Sequence, residues 1–343
     1  MHDHRDALTD PIRPGPTRAR ALLGLGAAGA AAAGWLAVHR RDQRRIAADP
    51  ARPLLFERPS GERSVAISAD GTHLAVESFG PADGPPLVLV HGWTCARRFW
   101  VCQVRALADR FRVVTFDLRG HGESEAPRGG DFSTDALADD VQAVLEQAVP
   151  AGPDGAPRRA LVVGHSLGAM SIVAWAGRHP DEVARRAAAV ALCNTGVGDL
   201  ISESLLFRLP SGMRRLKALA GAAFLQGSAP LPRASPLGRR AIRYAALSPS
   251  ASPAQVAFCQ EMVVACRRDV RASCGRTLSR LDLTDALDRL TVPTLLVGGG
   301  RDRLTPPTHV DRLAAALPDV VEELRLPASG HMSPIEDAPA VDA

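Results

Sequence analysis

Short apolar runs alternate with amphipathic stretches over most of this chain. Six runs predict buried strands bounded by turn residues, at 85–90, 112–118, 160–164, 187–193, 292–297 and 320–326. Upstream, residues 64–68 and 73–78 alternate apolar and polar positions about an Ala-Asp-Gly-Thr turn, which predicts an antiparallel hairpin. Strands that alternate with helical stretches are typical of a mostly parallel sheet with helices on both faces. We therefore predict an α/β protein with an eight-stranded sheet.

The alternation stops between the sixth and seventh strands. Residues 196–285 contain apolar helical patches and several prolines but no convincing strand pattern. We predict a helical cap there, inserted into a core formed by residues 64–195 and 286–343. A peripheral helical insertion is the alternative. Three apolar side chains of the insertion are candidates for lining a substrate pocket or, alternatively, for packing inside the cap: Leu206, Phe207 and Met213.

The N-terminal region has a different character. Residues 1–20 are polar and contain three prolines, which predicts a disordered leader. Residues 21–38 are 18 consecutive uncharged residues with arginines on both sides, at the lower limit for a membrane span. A single-pass anchor, a signal peptide and a helix packed on the domain all fit this pattern. The protein would accordingly be membrane-anchored, exported or cytoplasmic. Residues 39–63 are predicted to be a linker.

Composition narrows the class of protein. The chain has 343 residues, of which 46% are hydrophobic and 23% charged, as expected for a globular protein. The net charge of +4 is small and dispersed, so nucleic acid is not an expected partner. The six cysteines show no CxxC pair and no Cys/His spacing typical of zinc. We expect no metal and no organic cofactor.

The clearest chemical signal is the sequence Gly-His-Ser-Leu-Gly at 164–168. An apolar strand precedes it and a helix-forming stretch follows it, so Ser166 is predicted at a sharp strand-to-helix turn. Such a turn presents the hydroxyl at the sheet edge, beside the free amides of a helix N-terminus. Without its context, the five-residue pattern could instead be an ordinary Gly/Ser turn with no catalytic role. The context favours Ser166 as a nucleophile.

Two further side chains follow strands in the order that a Ser-acid-His triad requires in this kind of sheet. Asp302 lies just past the strand at 292–297, and His331 lies just past the strand at 320–326. His331 would take the proton of Ser166, and Asp302 would orient the imidazole. Each could instead be an ordinary loop residue. Their joint occurrence with Ser166 favours the triad.

Stabilising the charge that develops on the substrate oxygen requires two donors close to the serine. The strand at 85–90 ends in His91-Gly92-Trp93, which would bring the amide of Trp93 beside that of Leu167. We predict these two backbone N–H groups as the oxyanion hole. The Trp93 side chain is a candidate pocket wall or core aromatic, and His165 is a candidate for the substrate pocket.

Taken together, several motifs resemble the α/β-hydrolase superfamily, in its serine esterase, lipase and perhydrolase-like branch. They are His91-Gly92-Trp93, the segment 117–124 (Asp-Leu-Arg-Gly-His-Gly-Glu-Ser), Gly164–Gly168, Gly300-Arg301-Asp302 and Gly330-His331. The resemblance covers residues 62–340. It implies acyl transfer through a covalent acyl-enzyme, with a structural rather than catalytic role for His121.

We therefore predict a carboxylic ester hydrolase that acts on a small-molecule acyl ester. Lipid-like esters are among the candidates, because the cap and residues 21–38 are apolar, and the same segment would supply a membrane contact. A perhydrolase or an acyltransferase would use the same triad. A non-catalytic binding protein of this fold is the remaining alternative, and the intact triad argues against it.

Overall fold

The computed structural model describes residues 16–152, 155–206, 211–227 and 235–343. The chain divides into two compact units, residues 1–45 and residues 46–343. The described part of the first unit is helical, within α1 (Pro16–Ala47). The second unit carries the sheet and every candidate site residue.

Two predictions for the N-terminal region need correction. Residues 16–20, predicted to be part of a disordered leader, are the first residues of α1, and residues 1–15 lie outside the described residues. The predicted linker 39–63 contains the end of α1, the short helix α2 (Arg52–Phe56) and the start of the sheet. Arginine, glutamine and alanine are good helix formers, so the helix continues beyond the apolar run.

No helix in the described ranges is long and apolar enough to cross a membrane. The membrane anchor predicted at residues 21–38 stays a prediction.

The sheet has eight strands in the order β1-β2-β4-β3-β5-β6-β7-β8. β1 pairs antiparallel with β2, β2 pairs antiparallel with β4, and the other neighbours are parallel. The predicted eight-stranded, mostly parallel sheet opened by a hairpin is therefore confirmed. The strands are β1 Glu62–Ile67, β2 His73–Phe79, β3 Pro86–Val90, β4 Arg112–Phe116, β5 Ala160–His165, β6 Ala187–Cys193, β7 Thr294–Gly299 and β8 Val320–Leu326.

Both faces of the sheet are covered, because successive side chains of a strand point to opposite sides. In β3, Val88 and Val90 belong to a core that includes residues of α4 (Thr134–Gln147) and α5 (Leu167–Arg178). The alternate residues of β3 belong to a second core, with α3 (Val101–Leu107) and α10 (Pro253–Ala265). β3 is fully buried, which explains its uninterrupted apolar sequence.

The insertion, residues 194–293, separates β6 from β7, and its described parts are helices and connections. It contains α7 Leu200–Glu203, α8 Arg214–Gln226, α9 Pro236–Ala246, α10 and α11 Arg268–Arg280, with 3-10 turns at Ser211–Met213 and Thr284–Arg289. The remaining helices are α6 Pro180–Arg186, α12 Pro307–Ala316, α13 Ser333–Glu336 and α14 Ala338–Val341, and a 3-10 turn spans Arg97–Trp100.

Candidate active site

Ser166 occupies a strained turn between β5 and α5. Its φ of 52° and ψ of −117° lie in a region that a serine rarely adopts. The flanking glycines make the turn sterically feasible. A Cβ on Gly164 would lie 2.6 Å from the Cα of Ala169, and one on Gly168 would lie 2.2 Å from the carbonyl oxygen of Val90. The two glycines of the motif are therefore required by backbone packing around Ser166.

Asp302 and His331, which follow β7 and β8, form a buried hydrogen-bonded pair. Nδ1 of His331 lies 2.8 Å from Oδ2 of Asp302, and both side chains are at most 4% exposed. Burial alone would raise the pKa of Asp302. Electrostatic interaction with His331, the hydrogen bond from His331 and the hydrogen bonds from Thr305 together hold this pKa below its usual value. The carboxylate is therefore ionised and orients the imidazole.

Further donors surround the Asp302 carboxylate. The amides of Leu304 and Thr305 donate to Oδ1 at 2.8 and 2.9 Å, and the Thr305 hydroxyl donates to Oδ2 at 2.9 Å. Nδ2 of Asn194 donates to Oδ2 at 3.2 Å and to the carbonyl oxygen of Gly330 at 3.1 Å. These bonds leave the carboxylate little freedom to rotate, so its position relative to His331 is set by the protein.

Sequence analysis did not identify Asn194, although its position carries a signal. It follows β6 directly at the sheet edge where Ser166 lies, and it adopts a left-handed φ of 47°. Asparagine tolerates that conformation better than most residues. A polar residue at such a strand end could have been proposed as a site residue.

Glu336 supports the loop that carries His331. One carboxylate oxygen accepts the amides of Gly330 at 3.0 Å and Met332 at 3.2 Å, on either side of the histidine. The other oxygen accepts the amide of Ser248 at 2.7 Å, just after α9 of the insertion. Glu336 therefore joins the histidine loop to the insertion. Nothing in the spacing along the sequence pointed to this role.

His165 lies beneath the site. Its buried ring stacks on Phe99, with centroids 4.5 Å apart, and Nε2 lies 2.8 Å from the main-chain carbonyl oxygen of His331. Burial, and then the proximity of the His331 ring, lower the pKa of His165 to about 3. His165 lines the cavity and also contacts the backbone of His331.

The predicted oxyanion donors lie on segments next to Ser166. Leu167 begins α5, so its amide has no carbonyl one turn earlier in the helix to pair with. Trp93 follows Gly92, where an added Cβ would lie 3.1 Å from the Cβ of Ser166. Its indole Nε1 donates to the carbonyl oxygen of Arg271 at 3.1 Å, a contact with the insertion. Trp93 therefore lies between the sheet edge and α11, at the cavity wall.

His91 and His121 lie behind this loop and are fully buried. Nε2 of His91 accepts the amide of Leu118 at 3.0 Å, and Nε2 of His121 is 3.3 Å from the amide of Thr94. Burial lowers the pKa of both rings, so both are neutral near neutral pH. These contacts fit the structural role expected for His121.

Ser166 and His331 line a cavity of about 360 Å³ that extends beneath the insertion. Most of the lining is apolar and comes from the insertion, with Ile201, Leu206 and Leu225 among the contributors. Phe207, another predicted pocket residue, lies outside the described residues. The prediction for Met213 is corrected: it is 42% exposed at the end of a 3-10 turn and is absent from the described lining.

Comparison with known proteins places this site in a family. A family model described as the alpha/beta hydrolase fold matches residues 85–338. The chain is 32% identical over 254 residues to the pimeloyl-[acyl-carrier protein] methyl ester esterase of Chromobacterium violaceum, covering 73% of this chain and 87% of that protein.

Solved structures agree. A thermophilic esterase from Thermogutta terrifontis has a TM-score of 0.64 at 25% identity, covering 82% of this chain and 95% of that one. The enol-lactonase from Burkholderia xenovorans LB400 has a TM-score of 0.59 at 28% identity, covering 81% and 96%. The sheet order, the strained serine and these similarities lead to one conclusion: the chain belongs to the α/β-hydrolase family.

Proposed function

We propose that the protein hydrolyses carboxylic esters, with Ser166, His331 and Asp302 as the catalytic triad. The observation that carries the proposal is the Asp302–His331 hydrogen bond of 2.8 Å beside a strained serine that lines the same cavity as the histidine. Asp302 accepts the proton on Nδ1, which leaves Nε2 of His331 as the basic atom.

The reaction would consist of two acyl transfers, first to Ser166 and then to water. Ser166 Oγ attacks the ester carbonyl while His331 takes its proton, and His331 then gives that proton to the departing alcohol. Water, deprotonated by His331, attacks the acyl-enzyme. The bond between the acyl carbon and Ser166 Oγ then breaks, His331 returns the proton to Oγ, and the carboxylic acid leaves. The amides of Leu167 and Trp93 would stabilise the oxyanion in both steps, and one such donor is typically worth about 10² to 10³ in rate.

Esters as substrates are supported by the relatives. The Chromobacterium violaceum protein is named as a methyl ester esterase, and the Thermogutta terrifontis structure is that of an esterase. The Burkholderia xenovorans structure is that of an enol-lactonase, and a lactone is a cyclic ester. These names share cleavage of an acyl–oxygen bond, which is the reaction proposed here.

Cavity size favours compact substrates. Ligand pockets commonly have volumes of about 300 to 1,000 Å³, and the cavity of about 360 Å³ lies at the small end. Its apolar lining suits a short acyl or aryl group. Lipid-like esters stay a prediction from the sequence.

The proposal is tested by the variant Ser166→Ala, assayed with p-nitrophenyl acetate and butyrate. We expect hydrolysis to fall to background with an unchanged far-UV circular dichroism spectrum and melting temperature. Ser64→Ala, at an exposed position of β1, is the matched control and should retain wild-type rates. If Ser166→Ala kept its activity, or if the wild-type protein hydrolysed no ester, the proposal would be wrong.

A further inference from the structure

The side-chain amide of Gln260 lies at the wall of the cavity that contains Ser166. Gln260 belongs to α10, and Val263 and Val264, three and four residues further along the helix, line the same cavity. This spacing places the three side chains on one face of the helix. Gln260 is only 3% exposed. The helix α10 therefore presents a polar group, beside apolar neighbours, to an enclosed space.

One end of this amide is held by the protein. Nε2 donates to the main-chain carbonyl oxygen of Ser235 at 3.2 Å, at the start of α9. A carbonyl oxygen can only accept a hydrogen bond, so this contact identifies the NH₂ end of the side chain. A Cβ added to Gly238 would lie 2.5 Å from Nε2 and 3.8 Å from Cδ of Gln260, so the NH₂ end packs against α9. The oxygen Oε1 is therefore the end of the amide that is directed away from Gly238.

Oε1 accepts no hydrogen bond within the part of the chain that the structure describes, and protein atoms do not cover it completely. Since Gln260 lines the cavity, the uncovered surface of Oε1 faces that cavity. A buried acceptor without a donor costs free energy, and such groups in folded proteins are almost always paired. The donor for Oε1 therefore comes from the molecule that occupies the cavity.

An uncharged acceptor selects its ligand by chemistry. An amide oxygen binds a hydroxyl or an N–H group, whereas an ether oxygen or an ionised carboxylate has no proton to donate. Most of the cavity lining is apolar, with Met170, Ile201 and Ile242 among the contributors. In an apolar pocket, one placed polar group decides which ligands are accepted and how they are oriented. The expected ligand has an apolar body and a hydrogen-bond donor.

Gln260 is also fixed relative to the reaction centre. Phe258 and Met262 of α10 belong to the same buried core as Met332, the residue directly after His331. Close-packed interiors resist displacement, so this shared core sets the distance between α10 and the loop that carries His331. A substrate whose carbonyl group lies at Ser166 therefore meets Oε1 of Gln260 at a defined position along its length.

We propose that the natural substrate is an ester that carries a hydroxyl or N–H group, and that Gln260 is the specificity-determining residue that accepts its hydrogen bond. The inference rests on the proposed ester hydrolysis and adds the substrate class. The donor belongs to the acyl part or to the alcohol part of the ester, and the chemistry of recognition is the same in both cases.

The test compares matched pairs of esters on the full-length protein, each pair differing by methylation of the donor. For a hydroxyl on the acyl side, p-nitrophenyl 3-hydroxybutyrate is compared with p-nitrophenyl 3-methoxybutyrate. For an N–H on the acyl side, the p-nitrophenyl ester of N-acetylglycine is compared with that of N-acetyl-N-methylglycine. For the alcohol side, 4-(hydroxymethyl)phenyl acetate is compared with its methyl ether. We expect the wild-type protein to show a higher kcat/KM for the donor-bearing member of at least one pair, which identifies the donor and its side.

The variant Gln260→Leu removes the acceptor and keeps a side chain of similar size. We expect it to lower kcat/KM for the preferred donor-bearing ester about 10- to 100-fold relative to the methylated ester. Gln260→Glu keeps an oxygen that accepts from the substrate, so it should retain the preference. Loosening of α9 alone would lower kcat/KM for both members of a pair and leave their ratio unchanged. Gln43→Leu, at an exposed position of α1, is the control and should keep the wild-type ratio.

The outcomes separate the two proposals. If the wild-type protein hydrolyses these esters with no preference in any pair, or if Gln260→Leu keeps the wild-type ratio, the donor proposal is wrong and ester hydrolysis stands. Equal loss of the preference in Gln260→Glu and Gln260→Leu would also overturn it, because the role of Gln260 would then be structural. If no ester is hydrolysed, ester hydrolysis itself is wrong. Should Gln260→Leu fail to fold, Gln260→Met, with a flexible apolar side chain, is judged by the same ratio.

Discussion

The imidazole Nε2 of His165 lies 2.8 Å from the main-chain carbonyl oxygen of His331. A carbonyl oxygen can only accept a hydrogen bond, so Nε2 carries the proton and His165 is a neutral ring with a bare Nδ1. The residue directly before the strained serine thus holds the backbone of the histidine that follows β8. The positions of the proposed nucleophile and its base are coupled through this one side chain.

A first prediction concerns stability in acid. Because the pKa of His165 is about 3 in the folded protein and near 6.5 when exposed, the unfolded chain binds more protons below pH 6.5. The His165 contribution is complete above pH 6.5 and is lost as the pH falls towards 3. At pH 5 the free energy of unfolding has lost about 2 kcal/mol from this source, which corresponds to a few degrees of melting temperature.

The variant His165→Gln should therefore lose less melting temperature between pH 7.5 and pH 5 than the wild-type protein does, as measured by circular dichroism. It stays acid-sensitive in part, because burial also lowers the pKa of His91, His121 and His309. Identical slopes for His165→Gln and wild type would contradict the assignment.

A second prediction concerns the acid of the triad. In Asp302→Asn, an amide would replace a carboxylate that accepts from His331, Thr305 and Asn194. The amide favours the wrong tautomer of His331, so we expect kcat to fall about 10³- to 10⁴-fold with the fold retained. Steady-state ester assays measure kcat, and circular dichroism checks that the fold is retained. Asp288→Asn, at an exposed position, is the control. A loss below tenfold would argue against Asp302 as the triad acid.

A third prediction concerns Glu336 as a positioning residue. Glu336→Gln places an NH₂ group against amides that now donate to the carboxylate, so the loop carrying His331 and its contact with Ser248 should loosen. We expect kcat to fall about tenfold with KM nearly unchanged, together with a lower melting temperature. Glu322→Gln, on the exposed side of β8, serves as the control. A lower melting temperature with unchanged kcat would show that Glu336 has only a structural role.

A fourth prediction concerns the space beside the serine. A Cβ on Gly92 would lie 2.7 Å from Nδ1 of His165 and 3.1 Å from the Cβ of Ser166, so either the loop or the serine must shift. We expect Gly92→Ala to lower kcat/KM more than 10²-fold, because catalysis depends on sub-ångström placement of these groups. Gly129→Ala, where an added Cβ meets no atom within 4 Å, should behave like the wild type. Equal activity of the two variants would show that the loop is not constrained as described.

Much of the framework was predictable because its signals are local. The strands predicted at 187–193 and 320–326 are observed with the same bounds as β6 and β8, since apolar runs between turn residues persist when buried. The serine turn was predictable because the strand, the glycines and the helix are contiguous. The sequence did not predict where the N-terminal helix ends. Its apolar run stops at residue 38, but residues with high helix propensity follow, and α1 continues to Ala47.

The support of the site was harder to predict, because it depends on contacts between distant parts of the chain. Asn194 and Asp302 are 108 residues apart, and Ser248 and Glu336 are 88 residues apart, so no periodic pattern links them. Arg271 belongs to an amphipathic helix whose sequence does not say which face lines the cavity. Met213 shows the converse, since an apolar side chain that was expected in the pocket or inside the cap is 42% exposed.

The sequence by itself determined the fold class, the serine turn and the order in which Ser166, Asp302 and His331 follow their strands, because hydrophobic periodicity and glycine placement act over a few residues. Only the tertiary structure decided which partners hold the triad and which insertion side chains line the cavity. Those contacts are set by the packing of whole elements, where burial and hydrogen-bond satisfaction are determined jointly by residues far apart in the chain.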